Sequence, residues 1–182
     1  DQRDKSPRPA PVMNFAAIKK HDVANGPGVR VSLFVSGCEH YCKGCFNSEA
    51  WDFSYGSVFD KNAESEIFAA LGKPYIKGFS LLGGEPFHPK NRPALALLLE
   101  KIKKTFPEKD VWCYTGYDLE TELLFGKNDE NARRMLENID ILVDGRFVEE
   151  KKNLSLRFRG SENQRIIKLP ETLATGKIVL WE

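Results

Sequence analysis

Short apolar segments alternate along this chain with amphipathic segments of roughly ten residues, and this order constrains the fold most strongly. Strands are predicted at four apolar segments, residues 29–35, 78–82, 110–114 and 139–143. Helices are predicted at residues 63–71, at residues 93–105 and, with an interruption near Gly126, at about residues 119–138. This alternation indicates βαβ units, so we expect a single α/β domain with a sheet of parallel strands. Residues 154–158 and 178–181 could add two further strands.

Each of the four strands is followed by a short loop that contains glycine. The loops are Ser36-Gly37-Cys38, Gly83-Gly84-Glu85-Pro86, Thr115-Gly116-Tyr117 and Asp144-Gly145-Arg146. In parallel α/β architectures, ligands bind at the carboxyl ends of the strands. We therefore expect all four loops to converge on one rim of the sheet.

The length and the charge of the chain disfavour several classes of protein. With 182 residues, the chain is too short for a complete eight-stranded barrel of about 250 residues. A net charge of +1 gives no reason to expect nucleic acid or a membrane surface as a partner. No apolar run approaches the ~20 residues of a membrane span, and the polar N-terminus carries no secretory signal. The cytoplasm is the expected location.

Residues 1–12, which precede Met13, are polar and rich in proline and charge. This composition predicts a disordered N-terminal extension, followed by one domain over residues 13–182. A functional tail is the alternative.

Three of the four cysteines fall within eight residues, with the spacing C-x3-C-x2-C: Cys38, Cys42 and Cys45. Thiolates this close in sequence can bind one metal centre. A closed zinc site would need a fourth ligand, which His40 in the same loop could supply, so zinc stays an alternative. Cys113 lies in a predicted strand and is expected to be a buried small apolar residue. We expect His40 to be an exposed polar residue of the loop, and His21 and His88 are unassigned.

A 4Fe–4S cluster that is held by three cysteines has one iron without a protein ligand. S-adenosylmethionine can fill that position through its amino and carboxylate groups, with its sulfonium beside the cluster. One electron then cleaves a C–S bond and gives methionine and a 5′-deoxyadenosyl radical. A simple electron carrier would ordinarily have four cysteine ligands instead.

Two of the strand-end loops have the chemistry to hold such a cofactor. Gly83 and Gly84 let a ligand approach the backbone, and Glu85 could face an amine or a sulfonium; a plain turn is the alternative. Asp144 could bind an amine or a ribose and Arg146 a carboxylate, or the two could belong to a solvated turn. Phe46 or Tyr41 could pack on adenine, or serve only to anchor the loop.

These motifs together resemble the radical S-adenosylmethionine superfamily and, within it, the activating enzymes of glycyl radical enzymes. The resemblance runs from Met13 almost to the end of the chain. It rests on Asn25-Gly26-Pro27-Gly28-Val29-Arg30, Ser36 to Asn47, Gly83-Gly84-Glu85-Pro86, Trp112 with Thr115-Gly116-Tyr117, Leu142 to Phe147, and Arg159-Gly160-Ser161 with Asn163-Gln164.

The resemblance implies an incomplete (β/α) barrel of radical S-adenosylmethionine type, and it implies roles for specific residues. Cys38, Cys42 and Cys45 would ligate one 4Fe–4S cluster. Contacts to S-adenosylmethionine would come from Gly44, Cys45, Phe46, Gly83, Gly84 and Glu85, with Asp144 and Arg146 at the border of the pocket. No side chain is expected to act as a catalytic group, because the cluster and S-adenosylmethionine carry the radical chemistry. Many members have an aromatic residue at the position of Gly44, which leaves the adenine contact here to Phe46 or Tyr41.

The activity implied by the resemblance is abstraction of a hydrogen atom from a glycine Cα of a large partner enzyme. Anaerobic ribonucleoside-triphosphate reductase is the expected protein substrate, with an electron donor such as flavodoxin. Pyruvate formate-lyase or another glycyl radical enzyme is the second hypothesis. A non-enzymatic module that binds zinc or an iron–sulfur cluster is the third.

Overall fold

Seven strands form one mixed sheet in the computed structural model, which describes residues 11–181. The strands are β1 (Asn14–Asp22), β2 (Arg30–Val35), β3 (Ser57–Val58), β4 (Gly78–Gly83), β5 (Asp110–Tyr114), β6 (Ile141–Asp144) and β7 (Arg165–Lys168). Four α-helices accompany them in this part of the chain: α1 (Lys61–Leu71), α2 (Arg92–Thr105), α3 (Glu130–Glu137) and α4 (Leu169–Thr175).

The strands lie side by side in the order β3, β1, β2, β4, β5, β6, β7. The four central strands, from β2 to β6, are parallel, whereas β1, β3 and β7 pair in the antiparallel direction. The α/β class is therefore confirmed, and the prediction of parallel strands is correct for the centre but wrong at both edges. Only residues 23–29 join β1 to β2, which is too short for the crossover of about a dozen residues that a parallel neighbour needs.

The sequence predicted the central elements to within about two residues. The long helix expected at residues 119–138 is wrong in extent, because the chain forms a 3-10 turn at Leu124–Gly126 before α3 begins. Phe125 and Gly126 both have positive φ, which a continuous helix cannot accommodate. Residues 154–158 form turns rather than a strand, and residues 178–181 contribute only the bridge between Leu180 and Ile167. Strands β1, β3 and β7 and helix α4 were not predicted from the sequence.

Side chains at the helix starts explain where two helices begin. The Asp60 carboxylate accepts a hydrogen bond from the Ala63 N–H at 2.9 Å, and the Asp129 carboxylate accepts one from the Ala132 N–H at 2.7 Å. Each satisfies an N–H group that the first turn of a helix leaves unpaired.

Alternating residues of the central strands face two different environments. Toward the helices, the sheet packs against α2 through a buried apolar layer that includes Leu33, Leu81, Cys113 and Leu142. The expectation for Cys113 is confirmed, since it is fully buried in this layer. The other face carries a smaller cluster, composed of Trp112, Ile141, Val143 and Ile166 with Tyr114, Phe158 and Trp181 packed against them.

The predicted N-terminal extension lies outside the described residues up to residue 10, and Pro11 and Val12 are exposed. Between residues 11 and 181, none of the helices has the length and apolar character that crossing a membrane requires.

Candidate metal and cofactor site

A cavity of about 480 Å³ lies at the carboxyl ends of the central strands. Its walls include residues from all four strand-end loops, which confirms that these loops converge. The wall residues from these loops and the residues that follow them are Cys38, His40, Cys42, Cys45, Phe46, Asn47, Gly83, Gly84, Glu85, Thr115, Gly116, Gly145 and Phe147. Gly44 is not among the residues that line the cavity, although its neighbour Cys45 is.

The three clustered cysteines all line this cavity as free thiols. A turn closes the loop between two of them, where the Cys45 N–H donates to the Cys42 carbonyl oxygen at 3.1 Å. Burial raises the pKa of the Cys38 thiol to about 11, against a smaller opposing effect of a hydrogen bond from the His40 backbone. Burial also raises the pKa of the Cys42 thiol. A bound cation would favour the thiolate form of both, because metal binding displaces the thiol proton.

The donor set fits an iron–sulfur cluster by its chemistry. Three thiols without a disulfide face one cavity, and thiolates are the ligands that such clusters use. Within residues 11–181, no three His, Cys, Asp or Glu side chains form a group that could hold a metal ion as they stand. The fit therefore rests on ligand type and on the shared cavity, and not on a preformed cage.

His40, which the sequence left as a candidate fourth ligand, is held inside the site. Its side chain is 8% exposed, so the expectation of an exposed polar residue is wrong. Its Nε2 atom lies 2.7 Å from Oε1 of Glu85.

Gly83 and Gly84 allow the loop after β4 to pack directly on the loop after β2. Gly83 has a φ of +116°, and a Cβ on Gly84 would lie 2.6 Å from the Gly37 carbonyl oxygen. The close backbone approach expected of Gly83 and Gly84 is therefore an approach to the cysteine loop. The Glu85 N–H adds a hydrogen bond to the Gly37 carbonyl oxygen at 2.7 Å.

The Glu85 carboxylate is buried among hydrogen-bond donors of the protein. It is 1% exposed, and it accepts hydrogen bonds from His40, Thr115, Gly116 and Phe87. Glu85 lines the cavity, but both of its carboxylate oxygens already accept hydrogen bonds from the protein.

The structure does not bring the side chains of Asp144 and Arg146 into the cavity, although Gly145 between them lines it. Asp144 is buried and accepts from the Arg165 guanidinium and from the Leu119 N–H. Arg146 forms a two-pronged ion pair with Glu122, with both N–O distances at 2.7 Å.

Of the two aromatic candidates, Phe46 is the one that lines the cavity. Its ring packs against Phe147 with centroids 5.1 Å apart, and the ammonium of Lys152 lies 5.1 Å from its centroid. Tyr41 is exposed and packs edge-on against Trp51.

Two polar groups of the cavity wall were not predicted from the sequence. The Tyr114 hydroxyl and the Trp51 Nε1 are buried and have no hydrogen-bond partner among residues 11–181. Burial raises the pKa of Tyr114, so its hydroxyl keeps its proton and can donate it. Strand alternation could have identified Tyr114, because it follows the helix-facing Cys113 and must point to the opposite face.

Comparison with known proteins also indicates an iron–sulfur protein. Residues 24–167 match a family described as a 4Fe-4S single cluster domain. The chain is 45% identical over 156 residues to the anaerobic ribonucleoside-triphosphate reductase-activating protein of Haemophilus influenzae, which covers 85% of this chain and 97% of that protein. It is 44% identical to the protein of the same name from Vibrio cholerae, with the same coverage. The identity to that of Enterobacteria phage T4 is 41%, over 85% of this chain and 93% of the phage protein.

Proposed function

Since the chain belongs to the 4Fe-4S single cluster domain family and to the family of anaerobic ribonucleoside-triphosphate reductase-activating proteins, we propose that it is a radical S-adenosylmethionine activase. Its product would be a glycyl radical on an anaerobic ribonucleoside-triphosphate reductase. The observation that carries the proposal is that Cys38, Cys42 and Cys45 share one cavity with the Gly83-Gly84-Glu85 loop.

In this proposal, Cys38, Cys42 and Cys45 would hold the cluster, and the rest of the cavity that they line would take S-adenosylmethionine. Bound together and given one electron by the donor protein, the two cofactors would supply a 5′-deoxyadenosyl radical, which can abstract hydrogen from a glycine Cα. The protein would hold both in place and keep unwanted hydrogen donors away from the radical.

The remaining contacts of the cofactor follow from the cavity wall. Phe46 offers an aromatic face to adenine. Backbone groups at Gly83 and Gly84 offer polar contacts to the methionine end, and Cys45 lines the same cavity. Gly44 would contribute only through its position next to Cys45. Support for the border position of Asp144 and Arg146 is limited to Gly145 between them.

We also propose that the sheet is the incomplete (β/α) barrel of the radical S-adenosylmethionine superfamily. Four adjacent parallel strands support this, because their carboxyl ends surround the cavity. On the face of the sheet opposite the helices, Trp112 packs against Phe158 and Trp181.

The names of the relatives favour the reductase over pyruvate formate-lyase as the protein substrate. The family match favours an iron–sulfur cluster over zinc. A flavodoxin-type protein is proposed as the electron donor.

The proposal is tested by mixing the reconstituted protein, under strict anaerobiosis, with an anaerobic ribonucleoside-triphosphate reductase, S-adenosylmethionine and a reductant. We expect electron paramagnetic resonance to show a glycyl radical doublet on the reductase, and none with the Cys42→Ser variant. A doublet on pyruvate formate-lyase and none on the reductase would establish the other partner. One zinc and no iron in the purified protein would support the binding module.

A further inference from the structure

Glu85 joins three loops through one buried carboxylate. Oε1 accepts from His40 Nε2 at 2.7 Å and from the Gly116 N–H at 2.7 Å. Oε2 accepts from Thr115 Oγ1 at 2.8 Å and from the Phe87 N–H at 2.8 Å. A carboxylate has about four acceptor positions, so these four donors occupy it fully. The residue therefore has no oxygen left for a ligand, and its role lies in what it holds.

Glu85 binds the side chain of His40 in the cysteine loop, and the turn after β5 leaves space for the imidazole ring. A Cβ on Gly116 would lie 2.6 Å from Cδ2 of His40, so the imidazole ring occupies the space that a side chain would take. The Tyr117 ring meets the imidazole edge-on, with centroids 4.5 Å apart. Because the Glu85 carboxylate can only accept, His40 Nε2 is the donor of their bond. Each residue of the Thr115-Gly116-Tyr117 turn thus contacts either Glu85 or His40.

The backbone next to His40 shows why such a hold is needed. Tyr41 has a φ of +51°, a conformation that is costly for a bulky residue without glycine's freedom. Strained residues persist only where their surroundings fix them. The Tyr41 side chain is mostly exposed, with an edge-on ring contact to Trp51, whereas the side chain of its neighbour His40 is 8% exposed and bonded to Glu85. His40 therefore fixes the part of the arc next to the strained residue.

We infer that His40 is a positioning residue, which Glu85 and the Thr115-Gly116-Tyr117 turn clamp so that the arc from Cys38 to Cys42 presents both thiols to the cavity. The inference rests on the proposed function, because it takes these cysteines to be cluster ligands. In the clamped arrangement the arc from Cys38 to Cys42 has lost part of its conformational freedom before any cofactor binds. The cluster and S-adenosylmethionine then need not supply the free energy of ordering it.

The test compares His40→Ala, His40→Gln and a matched control, His21→Ala. Glutamine keeps an N–H donor that can reach Glu85, whereas alanine removes it. His21 is an exposed histidine of β1 whose ring nitrogen contacts only the Tyr75 hydroxyl among the described residues. Each protein is reconstituted anaerobically, and the rate of iron release to a chelator is measured. The electron paramagnetic resonance spectrum of the reduced cluster is recorded with and without S-adenosylmethionine, and kcat and KM for its cleavage are determined.

We expect His40→Ala to release iron roughly ten times faster than the wild type, as for other residues that orient metal ligands from outside the first coordination layer. Its KM for S-adenosylmethionine should rise more than its kcat falls, and the spectral change on adding S-adenosylmethionine should weaken. His40→Gln should recover to within about threefold of the wild type, and His21→Ala should match the wild type. Thr115→Val, which removes one hydroxyl from the clamp at nearly constant volume, should give an intermediate rate, and it serves as the test if His40→Ala does not fold.

Equal iron release and equal spectra for His40→Ala and the wild type would overturn the inference, as would a His40→Gln variant no better than His40→Ala. A wild-type Thr115→Val rate would count against the clamp in the same way. Failure of the proposed function would give a different result, because the loaded wild-type protein would then not cleave S-adenosylmethionine. The iron-release comparison would still decide whether the clamp exists.

Discussion

The Asp144 carboxylate accepts two hydrogen bonds from the Arg165 guanidinium, at 3.0 Å from Nε and 2.7 Å from Nη2. These residues face each other across the antiparallel pair of β6 and β7. The bond with Asp144 raises the pKa of Arg165. The pair fastens the last strand to the end of β6, next to the cavity, and it accounts for the absence of the Asp144 side chain from the cavity wall.

We expect Arg165→Ala to lower the free energy of unfolding by about 2–3 kcal/mol, because a carboxylate that is 1% exposed would lose its cation. The loss should stay below that for a fully buried pair, since the Arg165 side chain is 30% exposed. Urea unfolding of the cluster-free protein measures it. Arg146→Ala is the matched control, because it breaks the more exposed pair with Glu122 and should cost less than about 1 kcal/mol. Equal losses for the two variants would contradict this assignment.

Serine substitutions of the cysteines should separate ligands from the structural thiol. Each of Cys38→Ser, Cys42→Ser and Cys45→Ser should lower the iron and sulfide bound after reconstitution well below the roughly four of each that a full cluster contains. Cys113→Ala should bind the wild-type amount, because Cys113 lies in the helix-facing core. Metal and sulfide analysis on the same preparations decides the point. A Cys113 variant without iron, or a Cys45 variant with a full complement, is the result we do not expect.

Gly84→Ala should destabilise the protein by about 1–3 kcal/mol, because the new methyl group would lie 2.6 Å from the Gly37 carbonyl oxygen and force two loops apart. Gly72→Ala serves as its control. Gly72 ends α1 with a helical φ of −68°, and a Cβ there would have no contact closer than 3.5 Å. The control should be neutral or slightly more stable than the wild type. Thermal unfolding of both variants side by side provides the comparison, and equal midpoints would show that the two loops can separate freely.

Asp22 should make the stability of the protein depend on pH in the acidic range. Burial opposes its ionisation, but hydrogen bonds from Ser32, Asn25 and the Ala24 N–H outweigh that effect and keep the pKa of Asp22 below its usual value. A carboxyl whose pKa is lower in the folded state contributes stability above its unfolded pKa of about 3.9, and this contribution is lost as the pH falls through the folded value.

We therefore expect the difference in unfolding free energy between the wild type and Asp22→Asn to shrink as the pH falls from about 5 to about 3. Urea unfolding at several pH values in this window measures the difference, in which the effects of all other carboxyl groups cancel. A constant difference across the window would show that the pKa of Asp22 is the same in both states.

The central strands could be predicted because they are buried on both sides and appear as continuous apolar runs, as in Val31 to Val35. Strand β1, which lies between β2 and the short edge strand β3, lacks that signal. It contains Lys19, Lys20 and His21, and bulges interrupt its pairing with β2, so its side chains do not alternate regularly. Local sequence therefore predicted the parallel centre but not the antiparallel edges.

The candidate site divides in a similar way. The cysteine spacing and the glycines that follow each central strand are local signals, and they identified the loops that meet at the cavity. The partners of Asp144 and Glu85 depend on tertiary packing across 21 and 45 residues, for Arg165 and His40 respectively. No spacing rule connects residues so far apart, so the sequence suggested ligand contacts where the structure has protein contacts.

Cleavage of S-adenosylmethionine by the reconstituted and reduced protein is the decisive test of the proposed activity. The protein is loaded anaerobically with iron and sulfide, reduced, mixed with S-adenosylmethionine and assayed for 5′-deoxyadenosine and methionine. We expect both products to form with the wild type and neither to form with Cys38→Ser, Cys42→Ser or Cys45→Ser. A wild-type protein with a complete, reducible cluster that yields no 5′-deoxyadenosine would contradict it.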